Sequence, residues 1–202
     1  MKSRFLLTTC VTMLFAWMSS WAQAEQTPHE LVESVTADVL QVVRDNQEVL
    51  DQSPKEFYAA VNDVLSPVIA FDYIARSVMG RYAKQATADQ RQRFSQVFQS
   101  DLISTYAKGM AAFGDERIEV LPPTQDIEGQ KRVNVIQKVY TENGENTVSY
   151  TMGFSKKTSE WKLLNVVING VNLGATFRSQ FAQAMQKAGD LDVVIKEWSA
   201  QS

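Results

Sequence analysis

The sequence has almost no cysteine and almost no histidine. Cys10 is its only thiol and His29 its only imidazole. Histidine-based triads and most zinc sites are thereby excluded. The chain has no G-x-S-x-G, no H-E-x-x-H and no glycine-rich phosphate loop. With 5 prolines and 9 glycines spread thinly, it holds no linker, internal repeat or low-complexity stretch. Basic charge is also short: 20 Lys and Arg against 23 Asp and Glu give a formal net charge of −3. That balance argues against a nucleic-acid partner and against a polybasic membrane dock. Beyond the first 24 residues, no apolar run is long enough to cross a bilayer.

Those first residues read as a secretory signal. Lys2 and Arg4 form a positive start, Phe5 to Trp17 a short apolar run, and Ala22-Gln23-Ala24 a small-x-small cleavage site. The expected products are a signal peptide, 1–24, and one mature α+β domain, 25–202. Cleavage takes Cys10, Lys2 and Arg4 with it, leaving a chain without thiols and with a net charge of −5.

The mature chain opens polar and loose to Glu30, with His29 inside that segment. Apolar residues then recur at helical spacing from Leu31 to Leu50, predicting a helix that ends near Asp51. Ser53-Pro54 marks the start of a second helix running to Leu65. A third holds Phe71, Ile74, Val78 and Met79 and stops at Gly80. Thr87-Ala88-Asp89-Gln90 is a capping-box sequence that opens the longest helix, to about Phe113. From Arg117 the period changes to two. Val133, Val135 and Val139 mark one strand. Val148, Tyr150, Met152 and Phe154 mark the next, and Asn143-Gly144 signals a hairpin between them. Trp161 to Ile168 is a third apolar strand. It turns at Asn169-Gly170 and passes into a helix with Leu173, Phe177, Phe181 and Met185 stacked at intervals of four. Gly189 separates the last helix. The predicted architecture is α+β: a curved antiparallel sheet of about four strands against a helical layer.

The chemistry such a chain can offer is apolar. Two groups of side chains stand out: the helix stripe Phe98, Leu102, Tyr106 and Met110, and the strand face Tyr150, Met152, Phe154, Val166 and Ile168, with Val171 at its rim. Each reads equally as plain core or as the wall of an apolar cavity. Asp72-Tyr73 could serve an isomerase or lyase if both were buried in such a cavity. A plain interaction module would need no cavity at all.

Specific runs of residues resemble the MlaC family, also called the toluene-tolerance auxiliary family. They are Phe71 to Tyr82, Ala86 to Phe94, Thr105-Tyr106-Ala107, Trp161 to Val171 and Phe177 to Phe181. Asn165 and Asn169 depart from the acidic residues expected there. The resemblance implies an MlaC-type fold, similar in outline to NTF2-like folds, with an apolar cavity between sheet and helices. It implies a periplasmic phospholipid carrier that is not an enzyme and has no cofactor. Its partners would be an inner-membrane Mla-type ABC transporter complex and an outer-membrane lipoprotein–porin complex, and its role the upkeep of outer-membrane lipid asymmetry. Val171 is the position matched to the cavity rim. A hopanoid or quinone is the alternative cargo.

Overall fold

The computed structural model describes residues 26–46, 52–111 and 116–199. The signal segment with Cys10 and its cleavage site lie outside these residues. So do the expected first-helix end at Asp51, the Phe113–Gly114 helix end and the side chain of Met110.

Helix α1, Pro28–Asp45, begins earlier than the apolar periodicity indicates. Thr27 and Glu30 form a reciprocal capping box. The Glu30 amide donates to the Thr27 hydroxyl at 3.2 Å, and the Thr27 amide donates to the Glu30 carboxylate at 2.8 Å. Pro28 sits in the first turn, where its missing N–H costs nothing. The segment expected to be loose is therefore a helix start, and His29 belongs to its first turn. Helix α2 is Pro54–Leu65 and α3 is Phe71–Met79. A 3-10 turn, Gly80–Lys84, follows. The box predicted at Thr87 and Gln90 is formed, with bonds of 3.0 and 3.1 Å, and opens α4, Ala88–Ala111.

The sheet is an antiparallel meander in the order β1-β2-β3-β4-β5. Its strands are β1 Arg117–Val120, β2 Arg132–Thr141, β3 Gly144–Ser155, β4 Glu160–Ile168 and β5 Val171–Asn172. The β2–β3 turn falls at Glu142–Asn143, one residue earlier than predicted. Gly144 faces Thr141 as the first residue of the returning strand, at φ +124°. At the β4–β5 turn Asn169 and Gly170 both have positive φ, +47° and +83°. That is the primed geometry an Asn-Gly pair favours. β5 is the strand missing from the expected four: the chain pairs briefly back on β4 before turning helical. Asn172 then caps α5, Leu173–Ala188, by accepting the Ala175 amide at 3.0 Å. Gly189 ends α5 in the left-handed conformation, and α6 is Leu191–Ser199. Beyond β5 the edge of β4 is covered by residues 68–70. The Leu163 amide donates to Val68 O at 2.9 Å, and the Ala70 amide to Leu163 O at 3.0 Å.

Buried side chains form three groups. α3, α4, α5 and α6 close on Phe94, Phe98, Phe181 and Trp198. α1, α2, α3 and α4 close on Val43, Phe57, Val61, Phe71 and Ile103. Leu102 touches both of these helical groups. The sheet group is smaller: Val133, Val135 and Met152, with Val32 of α1 laid over them.

Candidate functional site

Residues directly opposite in an antiparallel pair share a face of the sheet. The register therefore aligns Val133, Met152 and Leu163, then Val135, Tyr150 and Val166, then Gln137, Val148, Ile168 and Val171. Phe154 faces Trp161, with ring centroids 5.5 Å apart. The sequence-predicted strand set, Tyr150, Met152, Phe154, Val166, Ile168 and Val171, is thus brought together on one face.

A β-bulge makes this possible. Thr151 faces Asn165 but Met152 faces Leu163, so Leu164 is the extra residue. Strict alternation from Ile168 would have turned Lys162 onto the apolar face. The bulge turns Trp161 and Leu163 there instead. Leu164 occupies the space left by Gly153, where a Cβ would stand only 2.4 Å from Leu164 Cδ1. Val133, Val135, Gln137, Val148, Trp161 and Leu163 lie on the same face, although they are not among the candidate site residues read from the sequence.

Burial differs along the face. In β2 the inward residues Val133, Val135, Gln137 and Val139 are closed off, while in β4 every residue from Trp161 to Ile168 remains partly accessible. A sheet under a solid core would close its inward positions. Here α1 seals β2 together with Met152 of β3, and β4 is apolar yet partly accessible. The rim residue Val171 is 55% exposed. At the far end, Phe154 and Trp161 stand with the start of α1 in a cleft of about 390 Å³. A second cleft of about 310 Å³, lined by Asn62, Gln99, Ile103 and others, lies between α2 and α4.

The helix stripe is placed elsewhere. Phe98 is fully buried against Phe94, Phe177 and Trp198, within the helical layer. Leu102 joins the two helical groups. Tyr106 is half-buried, and burial followed by the nearby Asp101 carboxylate raises its phenol pKa.

One polar chain crosses the sealed end. The Tyr150 hydroxyl donates to Gln137 Oε1 at 2.8 Å, and Gln137 Nε2 donates to the Thr36 hydroxyl at 2.8 Å. Thr36 in turn donates to Val32 O at 2.7 Å. Burial pushes the Tyr150 phenol up to about 12, so it stays a neutral donor at ordinary pH. The chain ties β3 and β2 to α1 with each of these side chains partnered, as a buried polar group requires. Gln137→Leu is expected to cost about 1–3 kcal/mol, because it strands the Tyr150 hydroxyl and removes the bond that Thr36 accepts. Urea unfolding checks this. Adding Tyr150→Phe should recover part of the loss, and a doubled loss would contradict the assignment.

No arrangement for general acid or base work appears at Asp72-Tyr73. Both residues are exposed. Asp72 accepts the Ser95 hydroxyl at 2.6 Å and Tyr73 accepts from Arg132 at 3.2 Å. The buried carboxyl that an isomerase would need is not there. Burial lowers the His29 pKa against the opposing pull of Glu33, and its Nδ1 is enclosed without a partner. Among the described residues no group of three or more His, Cys, Asp or Glu side chains could hold a metal ion, and no helix is long and apolar enough to cross a membrane.

A family model described as MlaC protein matches residues 33–200. The chain belongs to the MlaC family. It is 39% identical over 181 residues to the toluene tolerance protein Ttg2D of Pseudomonas putida, covering 88% of this chain and 82% of that one. It is 23% identical over 175 residues to the intermembrane phospholipid transport system binding protein MlaC of Haemophilus influenzae, covering 86% and 81%. Among solved structures, the phospholipid-binding protein of Ralstonia solanacearum, in complex with a phospholipid, aligns with a TM-score of 0.77 at 25% identity. That alignment covers 88% of this chain and 98% of the other. The MlaC fold thus accounts for the α+β meander and its helical layer.

Proposed function

We propose that this MlaC-family chain is a periplasmic phospholipid carrier. Its first 24 residues act as the signal peptide, and residues 25–202 form the lipid-binding domain. In this reading it receives and delivers lipid at an inner-membrane ABC transporter complex and an outer-membrane lipoprotein–porin complex, and so maintains outer-membrane lipid asymmetry. The acyl chains lie along the face carrying Tyr150, Met152, Val166 and Ile168, entering past Val171. The observation that carries the reading is the unequal burial of this face: sealed by α1 over β2 and Met152, apolar but partly accessible along β4. The phospholipid held by the Ralstonia protein of the same fold supports it.

The energetics suit a shuttle. A chain of about 16 carbons taken out of water is worth roughly 12 kcal/mol, at ~0.8 kcal/mol per methylene. Escape into water is therefore rare. Transfer from a bilayer exchanges one apolar environment for another and can be nearly neutral, so partners set the direction. No step needs a catalytic group.

The test is solvent extraction and mass spectrometry of protein purified under non-denaturing conditions. Phospholipid at a fixed ratio to protein is expected. A hopanoid or quinone in its place would change the cargo, and a lipid-free protein that takes up no phospholipid from vesicles would end the carrier reading.

A further inference from the structure

The apolar face has a defined depth. Along β3 its inward residues step from Val148 through Tyr150 and Met152 to Phe154, each opposite an inward residue of β4. Val171 pairs with Ile168, so the rim stands at the Val148 end. At ~3.3 Å per residue, Met152 lies roughly 13 Å from Val148 and Phe154 roughly 20 Å. The hydrocarbon core of a bilayer is about 30 Å thick, so the chains of one leaflet reach roughly 15 Å. A chain of that reach, laid along the face from the rim, ends between Met152 and Phe154.

That far end is walled. α1 lays Val32 over Met152, which is closed off, and Leu31, Ile127 and Trp161 pack around the same group. Nearer the rim, Val166 and Ile168 remain partly accessible. Beyond the wall is the cleft of about 390 Å³, and Trp161 and Ile127 line it too. These two side chains therefore stand between the accessible part of the face and the cleft. The Trp161 ring meets the Phe154 ring edge to face, with centroids 5.5 Å apart. The cleft itself is polar: Gln26, Asp126 and Glu128 line it, and all three are exposed. A chain tip pushed past Trp161 would meet water and carboxylates instead of apolar cover.

We propose that Trp161, with Ile127 beside it, is the stop that limits acyl-chain length, so that this wall selects phospholipids by their tails. The proposal rests on the carrier reading and adds to it which lipids are taken. The reference state is the bilayer, where every methylene is already out of water. Each methylene that the face cannot shelter therefore counts against loading, by about fourfold. A tryptophan that only supports the fold would affect all chain lengths alike. A stop changes long chains against short ones.

The experiment is lipid uptake by the full mature protein from vesicles holding equal amounts of monounsaturated phosphatidylcholines of graded acyl length. Lipid extracted from the re-isolated protein is read by mass spectrometry. Wild type is expected to cut off above one length. Trp161→Ala vacates the space of an indole ring beside Phe154, and should raise the share of chains two carbons longer on the order of 10-fold. Ile127→Ala should move the cut-off the same way by less. Val166→Phe fills the face nearer the rim and should move it toward shorter chains. The readout is the ratio of long to short chains in folded protein, which a uniform loss of loading leaves unchanged. If Trp161→Ala does not fold, the other two variants decide. Wild type that loads every length as the vesicles offer it overturns the stop, as do variants that keep the wild-type ratio. Wild type that takes up no phospholipid at all sinks the carrier reading itself.

Discussion

Phe181→Ala is expected to destabilise the protein by about 3–5 kcal/mol, the largest stability loss of any single truncation considered. Phe181 is fully buried, and its ring is the meeting point of the helical layer. The Phe94 ring lies 4.8 Å away on α4, Trp198 5.9 Å away on α6 and Tyr82 6.1 Å away in the 3-10 turn. Removing the ring opens a cavity that these neighbours cannot close together, since each is anchored on a different element. Trp198 is also held by its indole N–H to the Asp101 carboxylate at 3.1 Å. Edge-to-face contacts add to the loss beyond the transferred area. Urea unfolding reads the effect, and a loss below about 1 kcal/mol would show that the layer repacks freely. The sheet face shares no buried residue with this group. Lipid content per folded molecule should therefore hold, so stability and loading separate in this variant.

That separation explains which parts of the molecule were legible in the sequence. Local signals were read well where the residues that decide them are adjacent in the chain. The box at Thr87 and Gln90, the stop at Gly189 and the Asn169–Gly170 turn all appear where their chemistry puts them. The start of α1 was missed although Thr27-Pro28-His29-Glu30 is as good a signal. Attention to apolar period passes over a first turn that is polar. The bulge at Leu164 could not be read, because it depends on a vacancy at Gly153 in the neighbouring strand. The helix stripe shows a different limit. Phe98 and Val166 look alike in a pattern of apolar residues, yet Phe98 is enclosed by three other rings and Val166 is left partly open. Periodicity says which way a side chain points along its own element. It does not say whether a second element arrives to cover it.

Val166→Glu draws on that difference and is expected to reduce bound phospholipid by roughly 10- to 100-fold at neutral pH. Val166 faces Tyr150 in the middle of the apolar sheet face and is half-buried. With the face empty, water can reach a glutamate there, so the fold itself loses little. An acyl chain laid over it would strip that water without offering a hydrogen bond. An unpaired carboxylate desolvated in this way costs several kcal/mol, which exceeds the contribution of the few methylenes beside it. Loading should also become pH-dependent. Burial under lipid raises the carboxyl pKa above the ordinary value of ~4.3, so the bound state holds the proton more tightly. Lipid content should then recover as pH falls toward that value and decline as pH rises through the raised pKa. Val171→Glu is the control. That position is 55% exposed at the rim, so its carboxylate can keep its water, and the loss should be smaller with a weaker pH dependence. Mass spectrometry of extracted lipid against pH reads both variants. A folded Val166→Glu protein with wild-type lipid content would place the acyl chains somewhere other than on the β3–β4 face.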